Sequence, residues 1–284
     1  MRAFSFSNRD IRWLAVWLSG LAAVALWDGL FLNRPALALV VEGFLNTVVI
    51  ALLVLVFTLA YGWATTLCLH FFQTRSRHAP LLIATFILNV IRSIPQVVGV
   101  LIGYVLIAQL TGAGALSRNA VVFPLMAAIM SLFIFLEMVD LMRERIAHFR
   151  KLDFYSAMLV CGIKESRIVN FDILWKNSRT HILNKLISVF GMAVFLQCSV
   201  DFVISVGLST DVSPVDLPVT LGSLLAKIDS KQDILAIGHA LTHPDYVGHL
   251  FFTHLQGLTV AFLIVFTLMC MYFISNGFSE RHRL

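Results

Sequence analysis

Apolar residues run along this chain in long blocks separated by short polar connections. A helix needs about 20 mostly apolar residues to cross a bilayer. Six blocks reach that length: about Trp13–Leu32, Phe44–Phe72, Pro80–Leu110, Ala120–Met142, Ile182–Leu208 and Leu255–Ser275. An even set of alternating strands, each roughly ten residues long, is absent, so every block is read as helical. The third block is too long for one straight span. Its 31 residues would reach ~46 Å at ~1.5 Å per residue, against a hydrocarbon core of ~30 Å. Arg92, Ser93 and Pro95 interrupt it. Either the helix breaks near Pro95 or part of the block lies outside the hydrocarbon.

One polar stretch between the fourth and fifth blocks departs from this pattern. Asp153–Trp175 reads DFYSAMLVCGIKESRIVNFDILW. Asp153 is placed to cap a short helix, with Phe154, Ala157, Met158 and Cys161 at helical spacing. Gly162 ends or bends that helix. A second piece starts at Lys164 or Glu165, with Ile168, Phe171, Leu174 and Trp175 expected on one face. The apolar face of such a knob needs a groove, either in its own bundle or in another protein. An amphipathic helix lying on lipid is the alternative.

Composition agrees with the block pattern. The chain has 284 residues, 59% of them hydrophobic and 13% charged. A soluble domain carries about a quarter charged residues, so this is a membrane protein by composition. Lys and Arg then set its orientation. They gather at the N-terminus (Arg2, Arg9, Arg12), in the second-to-third connection (Arg75, Arg77), between Arg143 and Thr180, and at the C-terminus (Arg281, Arg283). Six spans put all four segments on one side, so both termini and Asp153–Trp175 are expected in the cytoplasm. The N-terminal block is too long for a cleavable signal and lacks a small-residue cleavage site. Cys68, Cys161, Cys198 and Cys270 form no CxxC pair, and no disulfide framework or zinc site is expected.

The polar stretch resembles the cytoplasmic Glu-Ala-Ala loop of type I ABC-importer permeases. Counted from Gly162, the Glu position holds Ser156, the two alanines are Ala157 and Met158, and the Leu-Pro pair is Leu174–Trp175. Ala157, Gly162 and Leu174 match, whereas Ser156, Met158 and Trp175 depart. Asp153-Phe154 and Arg167-Ile168 resemble elements of the dipeptide/oligopeptide/nickel branch. So do Ser205–Leu208 with Ser213-Pro214, Leu221–Ala226, Gly257-Leu258 and Ser275–Phe278, while Arg92-Ser93-Ile94-Pro95 resembles an Arg-x-x-Pro element in the family's transmembrane core. The likeness covers roughly Gly43 to Arg283 and leaves out the first span.

This resemblance implies an all-α integral membrane fold of six helices. It would have a coupling loop at about 143–180 and an extracytoplasmic segment at about 209–254. Residues 1–42 would be the N-terminal tail and first helix, and 43–284 the permease core. The chain would be the transmembrane subunit of an ATP-driven importer in a bacterial inner membrane, carrying peptides or a metal or metal chelate. Asp153, Ser156, Ala157, Met158, Gly162, Leu174 and Trp175 would face a cytoplasmic ATPase. Its partners would be ATP-binding subunits, a second, related permease chain, an extracytoplasmic substrate-binding protein and membrane lipid, with no nucleic acid. ATP and Mg would be bound by the ATPase, since no GxxxxGK[ST] loop occurs in the chain. The chain itself would hold no cofactor and no catalytic residue. Without the Glu, contact with the ATPase is expected to rest on shape and the apolar face around Ala157, Gly162 and Leu174. A six-helix secondary transporter or channel, not driven by ATP, is the competing class, although no inverted repeat is visible.

Ionisable residues inside spans are costly and are functional candidates. Arg92 with Pro95, and Asp201, are candidates for the pathway or a gate. Asp201 could alternatively pair with a neighbouring subunit. Glu137 and Asp140 are expected to pair with Arg143 or Arg145, and Asp28 to reach water. His239, His243, His249 and His254 are weak metal candidates, because their spacing fits no strict motif.

Overall fold

In hydrocarbon every backbone N–H and C=O must be paired within the protein, which leaves an apolar block the choice of helix or closed barrel. The computed structural model of the chain describes residues 8–75, 78–113, 119–207, 217–227, 238–248 and 255–281. Among these residues there are helices and no strands. Five helices are long and apolar enough to span a bilayer, and a pair of shorter helices, His78–Ser93 and Gln96–Gly112, reaches that measure only when counted together. The protein is an all-α membrane protein.

Helix α1 covers Asn8–Phe31 and α2 covers Arg34–Thr74. The Asn33 side chain caps α2 by accepting from the Ala36 amide at 2.9 Å, and Pro35 fits the first turn because no N–H is needed there. Helix α2 begins ten residues before the expected Phe44. At 41 residues it is roughly 60 Å long by its rise, so it exceeds the hydrocarbon. The Asn33 cap and Pro35 set the early start. Asn46 and Thr47 lie inside the expected block. Both are used within the bundle, through Asn46 Nδ2 to the Val219 carbonyl at 2.8 Å and the Leu221 amide to Thr47 Oγ1 at 3.0 Å.

The third block divides into α3 (His78–Ser93) and α4 (Gln96–Gly112), which meet at 90°. Ile94 and Pro95 form the corner. Proline offers no N–H and disfavours helical geometry in the residue before it. Helix α3 buries none of its residues. Leu81, Ala84, Leu88 and Ile91 rest against the bundle, while Leu82, Ile83, Phe86 and Ile87 are exposed.

Helix α5 (Asn119–Arg150) is the chief partner of α2. Their close approach requires Gly62, where an added Cβ would stand 2.8 Å from Met138 Cβ. The knob follows as α6 (Asp153–Val160), a helical turn α7 (Glu165–Arg167) and a π-helix (Ile168–Asn177). Helix α8 (Arg179–Gly207), the short α9 (Leu221–Lys227) and α10 (Leu255–Arg281) complete the bundle. The main core runs from Ile50, Val54 and Tyr104 through Met126 and Met130 to Ala193, Val200 and Leu263. Helix α1 packs chiefly on α10, its neighbour in space but not in sequence.

The stretch expected as an outer subdomain is partly inside the bundle. Leu221, Gly222, Ser223 and Leu224 are buried. Gly222 is the reason α9 fits, because a Cβ there would lie 2.7 Å from the Cα of Cys198 on α8.

Candidate functional site

The knob sits at the end of the bundle where α2 and α5 project. Helix α6 starts at Asp153 with Leu152 before it, and no side chain caps it. Asp153 is therefore the first helical residue rather than the cap, and it still opposes the positive helix start favourably. Gly162 ends α6 with φ 79°, a conformation that glycine reaches without a Cβ penalty. The Gly162 amide donates to the Leu159 carbonyl at 2.9 Å and the Ile163 amide to the Met158 carbonyl at 3.1 Å. This pair of bonds is a Schellman ending, and Ile163 and Met158 meet the same apolar cluster.

The second piece differs from the expected α-helix. Ile168–Asn177 is a π-helix, closed by the Ser178 amide on the Ile173 carbonyl at 2.9 Å. Bonds five residues apart widen the turn. Ile168, Val169, Ile173 and Leu174 thereby come onto one buried face, while Phe171 and Trp175 point outward. The expected grouping of Ile168, Phe171, Leu174 and Trp175 is split. Leu174 is fully buried, so it supports the knob from below and is closed to an external partner. Trp175 lies within this piece, which runs on to Asn177.

The inner face of the knob finds its groove in the bundle. Tyr155, Ile168, Val169, Ile173 and Leu174 pack with Met138, Met142 and Ile146 of α5 and Ile182 of α8. The Trp63 indole donates to Asn170 Oδ1 at 2.8 Å, and its ring meets Trp175 edge-on at 6.2 Å. Glu165 ties these pieces together. Its Oε1 accepts from the Tyr155 hydroxyl at 2.7 Å and lies 3.3 Å from His70 Nε2 and 3.4 Å from an Arg150 guanidinium nitrogen. Burial, then the bond to Glu165, pushes the Tyr155 phenol up to about 12. Tyr155 therefore remains a donor at neutral pH.

The outer face of α6 is left uncovered. Ser156, Ala157, Leu159, Val160 and Cys161 are exposed, and Val160 is 88% accessible. Met158 is half-buried and turns inward. Val160 was missed as a surface candidate. Its signal was present in the sequence, as an apolar residue two before a helix-ending glycine and on the face opposite Tyr155.

The charged residues of the spans find partners within the chain. The Arg92 guanidinium holds both Asp140 oxygens, at 2.8 and 2.7 Å. Lys185 pairs with Glu137 at 2.6 Å. These pairs replace the expected partners Arg143 and Arg145, because the bend at Pro95 carries Arg92 against α5 and α8 brings Lys185 beside it. Asp201 is buried and accepts from Thr220 Oγ1 at 2.6 Å. Thr220 Oγ1 accepts from the Ser223 amide at 3.2 Å, and Ser223 Oγ from the Thr220 amide at 2.9 Å. Asp201 thus holds a reciprocal cap that starts α9. Tyr104 Oη, also buried, has no hydrogen-bond partner among the described residues, and the buried Gln197 amide lies beside Asp201. Asp28 is buried against Thr259 rather than in water.

The His239 and His243 rings stack 4.3 Å apart, and His249 and His254 lie outside the described residues. Among the described residues no group of three or more metal-ligating side chains forms.

Fold and site together define a helical membrane protein with an apolar, rigidly footed knob at one end. No protein-family model matches the chain, and no curated protein sequence matches it.

Proposed function

We propose that this chain is the transmembrane subunit of an ATP-driven importer and that α6 is its coupling helix. One observation carries the reading: a short helix projects an uncovered apolar tip while its other face is locked into the bundle. A lever that transmits rigid-body motion needs both a free contact surface and a stiff foot. Ser156, Ala157, Leu159 and Val160 supply the first. The Glu165 hub and the π-helix supply the second.

On this reading the tip docks into a groove of a cytoplasmic ATPase, which binds ATP and Mg, and no catalytic group or cofactor belongs to this chain. A second, related permease chain completes the pathway, and a binding protein delivers peptide or a metal or metal chelate. Both termini lie in the cytoplasm of a cell with the chain in its inner membrane. The basic residues around the knob fit that side. Arg92–Asp140 and Asp201–Thr220 would brace the helices that move.

The test uses Cys161, an exposed thiol at the tip. A short thiol-to-amine cross-linker applied to native membranes should join Cys161 to a subunit carrying a GxxxxGK[ST] loop, and Cys161→Ser should abolish the product. Val160→Asp should lower substrate-stimulated ATP hydrolysis by roughly tenfold or more, since it buries an unpaired charge in the contact. Transport that persists in Val160→Asp with no ATPase bound would overturn the reading in favour of a carrier or channel.

A further inference from the structure

A carboxylate buried between two spans must find a cation, accept a proton or pay a large desolvation cost. Asp28 is 2% accessible. It accepts one bond, from Thr259 Oγ1 at 2.9 Å. No cationic side chain lies within ion-pair distance of it among the described residues. It lines a groove of about 710 Å³ between α1 and α10, together with Ala23, Trp27, Leu258, Phe262 and Val265.

The position of Asp28 along the helices identifies the kind of molecule that fits. Asp28 lies three residues before the end of α1 at Phe31, and Thr259 four after the start of α10 at Leu255. At ~1.5 Å per residue, the carboxylate stands about 5 Å inside the ends of the two helices, in the outermost turns of the pair. Val265 is six residues below Thr259, so the groove continues roughly 9 Å deeper with an apolar lining. Trp27 and Phe262 are partly open to the outside of the bundle, at 42% and 44%. The site therefore has a carboxyl group at its top, an apolar shaft and a side open to the outside of the bundle.

We propose that this groove holds a phospholipid whose headgroup ends in a primary ammonium, with the ammonium donating to Asp28 and an acyl chain lying along Trp27, Phe262 and Val265. A primary ammonium carries three N–H donors, as lysine does, and it neutralises the carboxylate. A trimethylated choline headgroup has no N–H and cannot make that bond. The site is independent of the coupling role of α6, since it lies at the opposite end of the bundle.

The full chain is purified in mild detergent and equilibrated with an equimolar mixture of dioleoyl phosphatidylethanolamine and dioleoyl phosphatidylcholine. Lipid retained per protein is counted by native mass spectrometry. The wild type should keep the ethanolamine lipid over the choline lipid by roughly tenfold, the ratio expected of one charge-assisted hydrogen bond. Asp28→Asn keeps the acceptor for Thr259 and should bring the ratio close to one. Ala23→Phe leaves the carboxylate in place, fills the groove and should remove the retained lipid. Free ethanolamine at the same concentration should not displace it. The proposal is overturned by a ratio near one in the wild type, by an Asp28→Asn protein that keeps the preference, or by displacement with free ethanolamine. If Asp28→Asn fails to fold, Ala23→Phe decides: a protein that still retains the ethanolamine lipid overturns the site.

Discussion

Glu165 is not a signature residue of the sequence pattern, yet it holds the knob through Tyr155, His70 and Arg150. Its chief neutral partner gives a pH test. A free tyrosine titrates near 10, and Tyr155 titrates at about 12 in the folded chain. Its contribution to stability is present below the free value and is lost as pH rises through the folded one. The melting temperature of the wild type should thus fall more steeply than that of Tyr155→Phe between about pH 10 and pH 12. Parallel curves would mean that the phenol is not held as described. A second residue-scale test separates support from contact. Leu174→Ala removes a fully buried side chain and should cost about 2–5 kcal/mol in chemical denaturation. Phe171→Ala, on the exposed side of the same π-helix, should change stability far less.

At the scale of elements, the spans were legible because hydrocarbon imposes a length and a polarity that any window reads. The corner at Pro95 was legible for the same kind of reason, since proline removes a local bond. The π-helix was not, because its wider turn sorts Leu174 inward and Trp175 outward, where a 3.6-residue period puts them together. Asp28 and Glu137 were misread for a different reason. Their partners Thr259 and Lys185 are far away in sequence, and nothing local announces a contact between helices. The fit of α9 into the bundle is testable at this scale. Gly222→Ala places a methyl group against backbone of Cys198, which cannot swing aside as a side chain can. It should destabilise the protein by about 1–3 kcal/mol in a thermal melt, whereas Gly112→Ala, which meets nothing within 4 Å, should not show this steric loss.

For the whole molecule, the proposed orientation predicts where a thiol can be reached. Cys68 and Cys161 are exposed, while Cys198 and Cys270 are buried. A membrane-impermeant maleimide should label Cys161 in inverted inner-membrane vesicles and not in intact cells stripped of their outer membrane, with Cys161→Ser giving the background. Labelling in the intact cells alone would reverse the topology and remove the basis for an ATPase contact. The coupling reading would then fail even though the helical architecture stood.

The pairing of the first helix with the last also bears on how the chain is made. Trp17 donates to Thr267, 250 residues later, Trp13 stacks on Phe273 at 4.4 Å, and Gly20 leaves room for Phe266. The part of the protein synthesised first therefore waits in the bilayer for the part synthesised last. Until α10 emerges, α1 has only slight contact with its neighbour α2 and its polar Trp17 and Asp28 groups lack their partners. Assembly closes like a clasp, and a chain truncated before Leu255 leaves its own beginning undocked.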